Sequence, residues 1–222
     1  MSKITNSFTS SVGRKLLMGL TGFFLCSFLV VHLYINLFLF RSDNGRTFDA
    51  YSEFMATYPL IRPLEIILFG GFLLHAVVGV WLWFANRAAR PERYEVNKAS
   101  DNSTLTSRIG FITGSAVFLF LVVHINSFFV QSRFFPAGKT MFEIVAGAFR
   151  NPWNDALYIV ALVFLGYHLK HGFQSAFQTF GIRSPKYQTL IDLVSVLFWF
   201  VIPLGFAAMP LYFLWAHLTG VN

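Results

Sequence analysis

The sequence predicts an all-α integral membrane protein, one domain of five transmembrane helices over residues 1–222. Of the 222 residues, 55% are hydrophobic and only 12% are charged, which is about half the charged fraction of a typical soluble domain. The apolar residues form five blocks, each long enough for the ~20 helical residues that cross a ~30 Å hydrocarbon core. The blocks are Leu16–Phe40, Pro63–Asn86, Ile109–Gln131, Ala156–Phe180 and Leu190–Leu214.

Every gap between blocks contains residues that end helices or form turns. Helices are expected inside the blocks because lipid offers no partner for free backbone groups. The first block is too long for a signal-peptide core, so a retained span is expected. Pro203 and Pro210 lie inside the fifth block and predict a kink. The gap sequences are RSDNGR (41–46), RAARPER (87–93), RNPWND (150–155) and GIRSPK (181–186).

Lys and Arg are distributed unevenly between the two sides of the predicted bundle. The N-terminal tail and the second and fourth connections contain eleven, whereas the first and third connections contain six. Cytoplasmic loops are enriched in Lys and Arg, so the N-terminus is predicted to be cytoplasmic and the C-terminus outside. Orientation explains the net charge of +7, and no nucleic-acid partner is expected. The single cysteine, Cys26, excludes a disulfide framework or an iron–sulfur cluster held by this chain alone.

Four of the six histidines lie centrally in predicted spans, one in each of the first four: His32, His75, His124 and His168. The ring nitrogens of a buried imidazole need partners, so intramembrane histidines are uncommon and usually functional. One such residue could simply bond a backbone carbonyl of a neighbouring helix. Four in corresponding positions favour a shared ligand.

These positions follow an internal repeat in which spans 1–2 match spans 3–4. The histidines of spans 1 and 3 are 92 residues apart, and those of spans 2 and 4 are 93 apart. TGFFLCSFLVVHL (21–33) matches TGSAVFLFLVVHI (113–125). In spans 2 and 4 a glycine, Gly79 or Gly172, follows the histidine at i+4 on the same helix face. Such a glycine either lets helices pack closely or leaves room for a flat ligand, and its recurrence favours the ligand.

Depth divides the histidines into two pairs. At ~1.5 Å per residue, His32 and His124 lie in the outer half, and His75 and His168 lie nearer the middle or inner half. Two histidines at one depth can ligate opposite faces of a haem iron, whereas zinc would need four ligands at one level. The sequence therefore predicts two haem b groups for electron transfer, with no open axial position and no covalent CxxCH attachment. In span 4, His171 is an alternative ligand or a propionate contact.

With these histidines, the sequence resembles the membrane cytochrome b subunit of succinate:quinone oxidoreductases (succinate dehydrogenase and fumarate reductase) in the single-chain, five-helix, di-haem form. The resemblance rests on one histidine in each of four helices and on His75–Gly79 and His168–Gly172. It implies that spans 1 and 3 ligate the outer haem and spans 2 and 4 the inner one. It also implies a flavoprotein and an iron–sulfur subunit docked on the cytoplasmic face of the inner membrane. A quinone, expected to be menaquinone, is the implied membrane substrate.

Dicarboxylate chemistry must then take place on other subunits, because this chain has no dinucleotide fingerprint and no cysteine cluster. Glu65, near the outer start of span 2, is a candidate quinone-site acid or, alternatively, an interfacial ion-pair partner of Arg62. Some fumarate reductases of this type carry an acid two positions before the span-4 histidine, as part of a proton route. Gly166 occupies that position here, which puts this route in question.

Two other functions fit part of the pattern. One is a cytochrome b anchor of another respiratory complex, such as a formate dehydrogenase or hydrogenase. The other is a non-haem transporter whose duplicated halves surround a histidine-lined site, although the repeats here would lie parallel rather than inverted. Haem content distinguishes the transporter from both cytochromes, and the partner subunits distinguish the cytochromes from each other.

Overall fold

The computed structural model describes residues 10–88 and 108–220. Five of its helices are long and apolar enough to cross a membrane, and these residues contain no strand. The predicted all-α fold with five spans is confirmed. The connection RAARPER lies largely outside the described residues. Lys3 and Lys98, which were counted for the orientation, lie wholly outside them. The helices are span 1 (Val12–Phe40), span 2 (Ile61–Ala88), span 3 (Gly110–Phe134), span 4 (Pro152–Thr179) and span 5 (Gln188–Thr219).

Spans 1 and 4 begin about one turn earlier than their apolar blocks, because polar residues start both helices. The Ser10 side chain accepts a hydrogen bond from the backbone N–H of Gly13 at 3.0 Å. At the start of span 4, the Asn151 side chain accepts from the N–H of Trp153 at 3.0 Å, and Pro152 occupies the first helical position. These are standard helix-start signals, and hydropathy alone does not detect them.

Two short connecting helices, which the sequence analysis did not predict, lie in the first and third connections. They run over Arg46–Thr57 and Met141–Ala148 and pack at one end of the bundle, here called the far end. The end at which span 1 begins is the near end. The N–H of Phe142 donates to Asp49 Oδ1 at 2.8 Å and thereby joins the two helices. The larger buried cluster of the described residues lies here and consists of Leu39, Phe48, Phe128, Val145, Phe149, Tyr158, Met209 and Phe213.

Asp43 stabilises the turn that precedes the first connecting helix. Its carboxylate accepts hydrogen bonds from the hydroxyl of Thr47 and from the N–H of Thr47, the latter at 3.1 Å. The hydroxyl hydrogen bond, more than the charge of Arg41, lowers the pKa of Asp43, so its contribution to stability is lost only as the pH falls through that lowered value. Gly45 closes the turn at φ +79°, where an added Cβ would lie 2.2 Å from the Phe142 ring.

Span 5 contains a π-helical segment, Leu197–Val201, just before Pro203. The kink expected at the prolines stays a prediction; what the helix shows is a local π-helical turn before Pro203. Pro203 has no N–H to donate to the carbonyl of Trp199, four residues earlier. That carbonyl approaches span 4 at Gly166, where an added Cβ would lie 2.8 Å from the oxygen. Position 166 cannot hold an acidic side chain unless span 5 moves.

We expect Gly166→Ala to lower the thermal unfolding midpoint of the purified protein. The carbonyl of Trp199 belongs to the backbone and cannot rotate away, and overpacking of this kind costs about 1–3 kcal/mol. The matched control is Gly70→Ala, because an added Cβ there meets nothing within 4 Å and the gain in helix propensity is the same. Circular dichroism in detergent measures both, and equal midpoints would contradict the close contact.

Candidate functional site

The structure brings the four intramembrane histidines together as two pairs. The ring centroids of His32 and His124 are 5.9 Å apart, with the ring planes at 88°. Those of His75 and His168 are 6.2 Å apart, with the planes at 83°. We call the first the far pair and the second the near pair, after the end of the bundle to which each is closer. Protein covers each of the four rings only partly, although all lie inside the bundle.

The two pairs lie at different levels. The near pair lies beside Gly22 of span 1 and Gly114 of span 3. His32 and His124 each follow one of these glycines by ten residues, which corresponds to about 15 Å along a helix at ~1.5 Å per residue. The two pairs are therefore separated along the bundle, and each level holds two imidazoles.

In the near pair, Thr21 fixes the tautomer of the His75 imidazole. Nδ1 of His75 lies 3.0 Å from Oγ1 of Thr21, and that hydroxyl donates its own proton to the carbonyl of Leu17 at 2.9 Å. The hydroxyl oxygen is then left to accept the Nδ1–H of His75, and we assign Nε2 as unprotonated, the form that binds a metal. Nδ1 of His168 is buried and has no hydrogen bond of normal geometry among the described residues, although the Gly110 carbonyl acts on the ring.

In the far pair, aromatic side chains surround the imidazoles. Phe28 stacks on His32 with centroids 5.1 Å apart, and Phe120, its counterpart in the proposed repeat, lies 5.6 Å from His124. The hydroxyl of Tyr158 is 3.2 Å from Nδ1 of His124. The far pair therefore lies among aromatic rings, and a single hydroxyl orients His124.

Both spacings fit a metal ion bound between two imidazoles. Metal–nitrogen bonds of ~2.0–2.1 Å on either side place the centroids of opposed rings roughly 6 Å apart, as the 5.9 and 6.2 Å distances are. Within residues 10–88 and 108–220, no group of three or more His, Cys, Asp or Glu could hold a metal ion. A metal at either level would therefore take two protein ligands, which matches a haem iron.

The two i+4 glycines have different surroundings. An added Cβ at Gly172 meets nothing within 4 Å, whereas one at Gly79 would lie 3.3 Å from Cε of Met18. Gly172 is exposed, and no side chain obstructs a flat ligand there. Gly79 allows spans 1 and 2 to pack closely, which is the other interpretation of the motif.

His171 does not take part in the near pair. Its ring lies against the start of span 3, where an added Cβ at Gly110 would be 3.0 Å from its Cδ2. His168, one turn deeper, is the residue that faces His75. The neighbouring Lys170 lies on an indole ring, with its Nζ 4.6 Å from the ring centroid of Trp199.

Glu65 belongs to an ion-paired cluster at the far end. Its Oε2 lies 3.1 Å from Arg133 and 3.5 Å from Arg62. Arg133 also donates to the carbonyl of Ala56 at 3.1 Å, so the cluster joins the first connecting helix to spans 2 and 3. These contacts agree with the interpretation of Glu65 as an ion-pair partner of Arg62. Arg133 is a second partner, which was not predicted.

Asp155, in the first turn of span 4, is a buried acid that the sequence analysis missed. It is 3% exposed, and neither carboxylate oxygen has a hydrogen-bond partner within the described part of the chain. It shares a helix face with Tyr158, three residues later, whose hydroxyl faces His124. RNPWND indicates a helix start, where an acid is normally exposed and stabilised by the helix dipole, so nothing local signals the burial.

The chain is similar to the succinate dehydrogenase cytochrome b558 subunit of Bacillus subtilis (strain 168). The two are 26% identical over 175 residues, which cover 75% of this chain and 80% of the relative. The predicted family resemblance is confirmed. No family model matches the chain, and no solved structure gives a significant match. The similarity covers most of a chain whose five long helices are apolar enough to cross a membrane.

Arg133→Ala is expected to destabilise the protein more than Arg62→Ala. The Arg133 side chain is 22% exposed and has two partners, whereas that of Arg62 is 47% exposed and lies farther from the carboxylate. Loss of a largely buried charged hydrogen bond costs about 1.5–3 kcal/mol, and loss of an exposed pair under about 1 kcal/mol. Unfolding midpoints in detergent compare the two variants, and an equal or larger loss for Arg62→Ala would show that Arg133 is not the main partner.

Proposed function

We propose that this chain is the di-haem b membrane anchor and electron-transfer subunit of a succinate dehydrogenase or fumarate reductase. It passes electrons between an iron–sulfur subunit and a membrane quinone. The observation that carries the proposal is the pair of opposed imidazoles at each of two levels, with centroids 5.9 and 6.2 Å apart. The similarity to a succinate dehydrogenase cytochrome b subunit supports the same assignment.

In this proposal His32 and His124 hold the outer haem iron, and His75 and His168 hold the inner one. Haem b supplies reversible one-electron transfer at its iron. With two protein nitrogens as its ligands, neither haem would offer a site for oxygen. The rings stand on four different helices of one packed bundle, so their separation is set by the fold rather than by mobile loops.

The surrounding residues shield the rings in part from water and limit their movement. Phe28 and Phe120 lie against the far pair, and the far-end cluster of apolar side chains covers it. Thr21 orients His75 from the adjacent span. Exclusion of water favours electron exchange between the two levels over reaction with solvent.

The proposed complex has a defined sidedness. The near end faces the cytoplasm, where the flavoprotein and iron–sulfur subunits dock, and the connecting helices face outside the inner membrane. The excess of Lys and Arg in the near-end segments supports this orientation. Dicarboxylate oxidation or reduction takes place on the flavoprotein. For the quinone, expected to be menaquinone, Glu65 is the candidate acid, in its ion-paired cluster at the far end.

We predict that His75→Ala and His168→Ala each reduce the haem content of the purified protein from about two per chain to about one, because each removes one ligand of the near pair. His171→Ala, one turn along the same span, is the matched control and should keep both. The pyridine haemochromogen assay and the reduced absorption spectrum measure this. Retention of both haems in His75→Ala would refute the pairing, and a colourless wild-type protein would refute the proposed function.

Purification of the intact complex tests the partners. We expect a flavoprotein and an iron–sulfur protein to copurify with this chain from membranes, and succinate or a quinol to reduce its haems. In His75→Ala, the rate at which succinate reduces the remaining haem should fall to a small fraction of the wild-type rate. A soluble dye should still accept electrons from the flavoprotein. Copurification with a formate dehydrogenase or hydrogenase instead would assign the chain to that other class of complex.

A further inference from the structure

A Thr-Gly step occurs at the same place in each half of the proposed repeat, and the proposed function gives a role only to Thr21 of the first step. It is Thr21-Gly22 in span 1 and Thr113-Gly114 in span 3, 92 residues later. In the structure each step lies against an imidazole of the near pair, and in both halves that imidazole comes from the next span along the chain.

In the first half the contacts of the step are complete. Oγ1 of Thr21 is 3.0 Å from Nδ1 of His75 and uses its proton on the helix backbone. A Cβ added at Gly22 would lie 3.5 Å from Cε1 of the same ring. The threonine therefore holds one edge of the imidazole, and the glycine lets that edge approach the backbone of span 1.

The second half contains the same threonine, glycine and histidine, but the hydrogen bond between the threonine and the ring is missing. A Cβ added at Gly114 would lie 3.2 Å from Cε1 and 3.4 Å from Nδ1 of His168. Thr113 is 1% exposed, and its Oγ1 donates to the carbonyl of Gly110 at 3.0 Å. Nδ1 of His168 is buried without a hydrogen bond of normal geometry in the described residues. The threonine, the glycine and the ring of the first half thus recur in the second, where the His168 ring also interacts with the carbonyl of Gly110.

We propose that the two Thr-Gly steps seat the near-pair imidazoles. The glycine admits the ring edge, and the threonine accepts the Nδ1–H, so that the unprotonated Nε2 is directed at the shared metal. Thr113 serves His168 in this way, as Thr21 serves His75. This inference rests on the proposed function, because the metal concerned is the haem iron of the near pair. The threonines are positioning residues, since they act through the histidines.

A threonine suits this position for a physical reason. An acceptor on the outer nitrogen of a metal-bound histidine fixes its tautomer and raises its basicity. A carboxylate would do so at the cost of a charge inside the membrane. The hydroxyl of Thr21 is neutral, and because it donates to the carbonyl of Leu17, only its lone pairs face the ring.

The test replaces each hydroxyl with a methyl group in the intact complex, as Thr21→Val and Thr113→Val. We expect each variant to bind the near haem about 10–100-fold less tightly, the usual effect of losing such an outer partner. Where haem is retained, its midpoint potential should rise, since a less basic imidazole favours ferrous iron, and its low-spin electron paramagnetic resonance signal should shift. The far haem should be unchanged and reports that the bundle is folded.

Thr179→Val is the matched control, because Thr179 donates to the carbonyl four residues earlier at 2.9 Å, as Thr21 does, but faces no histidine. Thr21→Ser and Thr113→Ser keep the hydroxyl and should restore the wild-type potential. Loss of both haems in Thr21→Val, with recovery in Thr21→Ser, also assigns the effect to the hydroxyl. If both valine variants matched Thr179→Val in potential and haem content, the inference would be wrong, while the two wild-type haems would leave the proposed function standing.

The glycines give a graded second test. Gly114→Ala places its Cβ closer to the ring than Gly22→Ala does, at 3.2 Å against 3.5 Å. We therefore expect Gly114→Ala to disturb the near-haem spectrum while Gly22→Ala leaves it close to wild type. The reverse order would contradict the seating geometry.

Discussion

An imidazole inside a membrane needs a partner for each of its ring nitrogens, and the central part of this structure follows from that requirement. Water and free backbone groups are scarce there, so the partners must be side chains or a ligand. Thr21 and Tyr158 supply a partner on the Nδ1 side of His75 and His124. In the proposed di-haem arrangement a metal would be the partner of the other nitrogens, and each pair would need one histidine from each of two helices.

Hydropathy was sufficient to predict the five spans, because lipid requires long apolar helices. It placed the starts of spans 1 and 4 too late, since Ser10 and Asn151 cap those helices with polar side chains. The connecting helices were missed for a different reason. They are short, and the bond from Phe142 to Asp49 joins residues 93 positions apart, a separation at which no local pattern operates.

Periodicity and spacing predicted the histidines of the site but not the side chains that contact them. A repeat of 92 or 93 residues identified the four histidines, and depth along the helices suggested which of them meet. The contacts of Thr21 with His75 and of Arg133 with Glu65 join residues 54 and 68 positions apart, so the sequence offered no basis for either. Asp155 was missed because tertiary packing, not its own turn, buries it.

Span 5 has no counterpart in the proposed repeat, and it touches the two halves unequally. Its Phe206 ring lies 5.5 Å from His32 of the far pair, while its backbone reaches span 4 at Gly166, beside the near pair. The two histidine pairs are thereby given different neighbours. If each pair holds a haem as proposed, this single unmatched helix makes one redox centre energetically distinct from the other without changing any ligand.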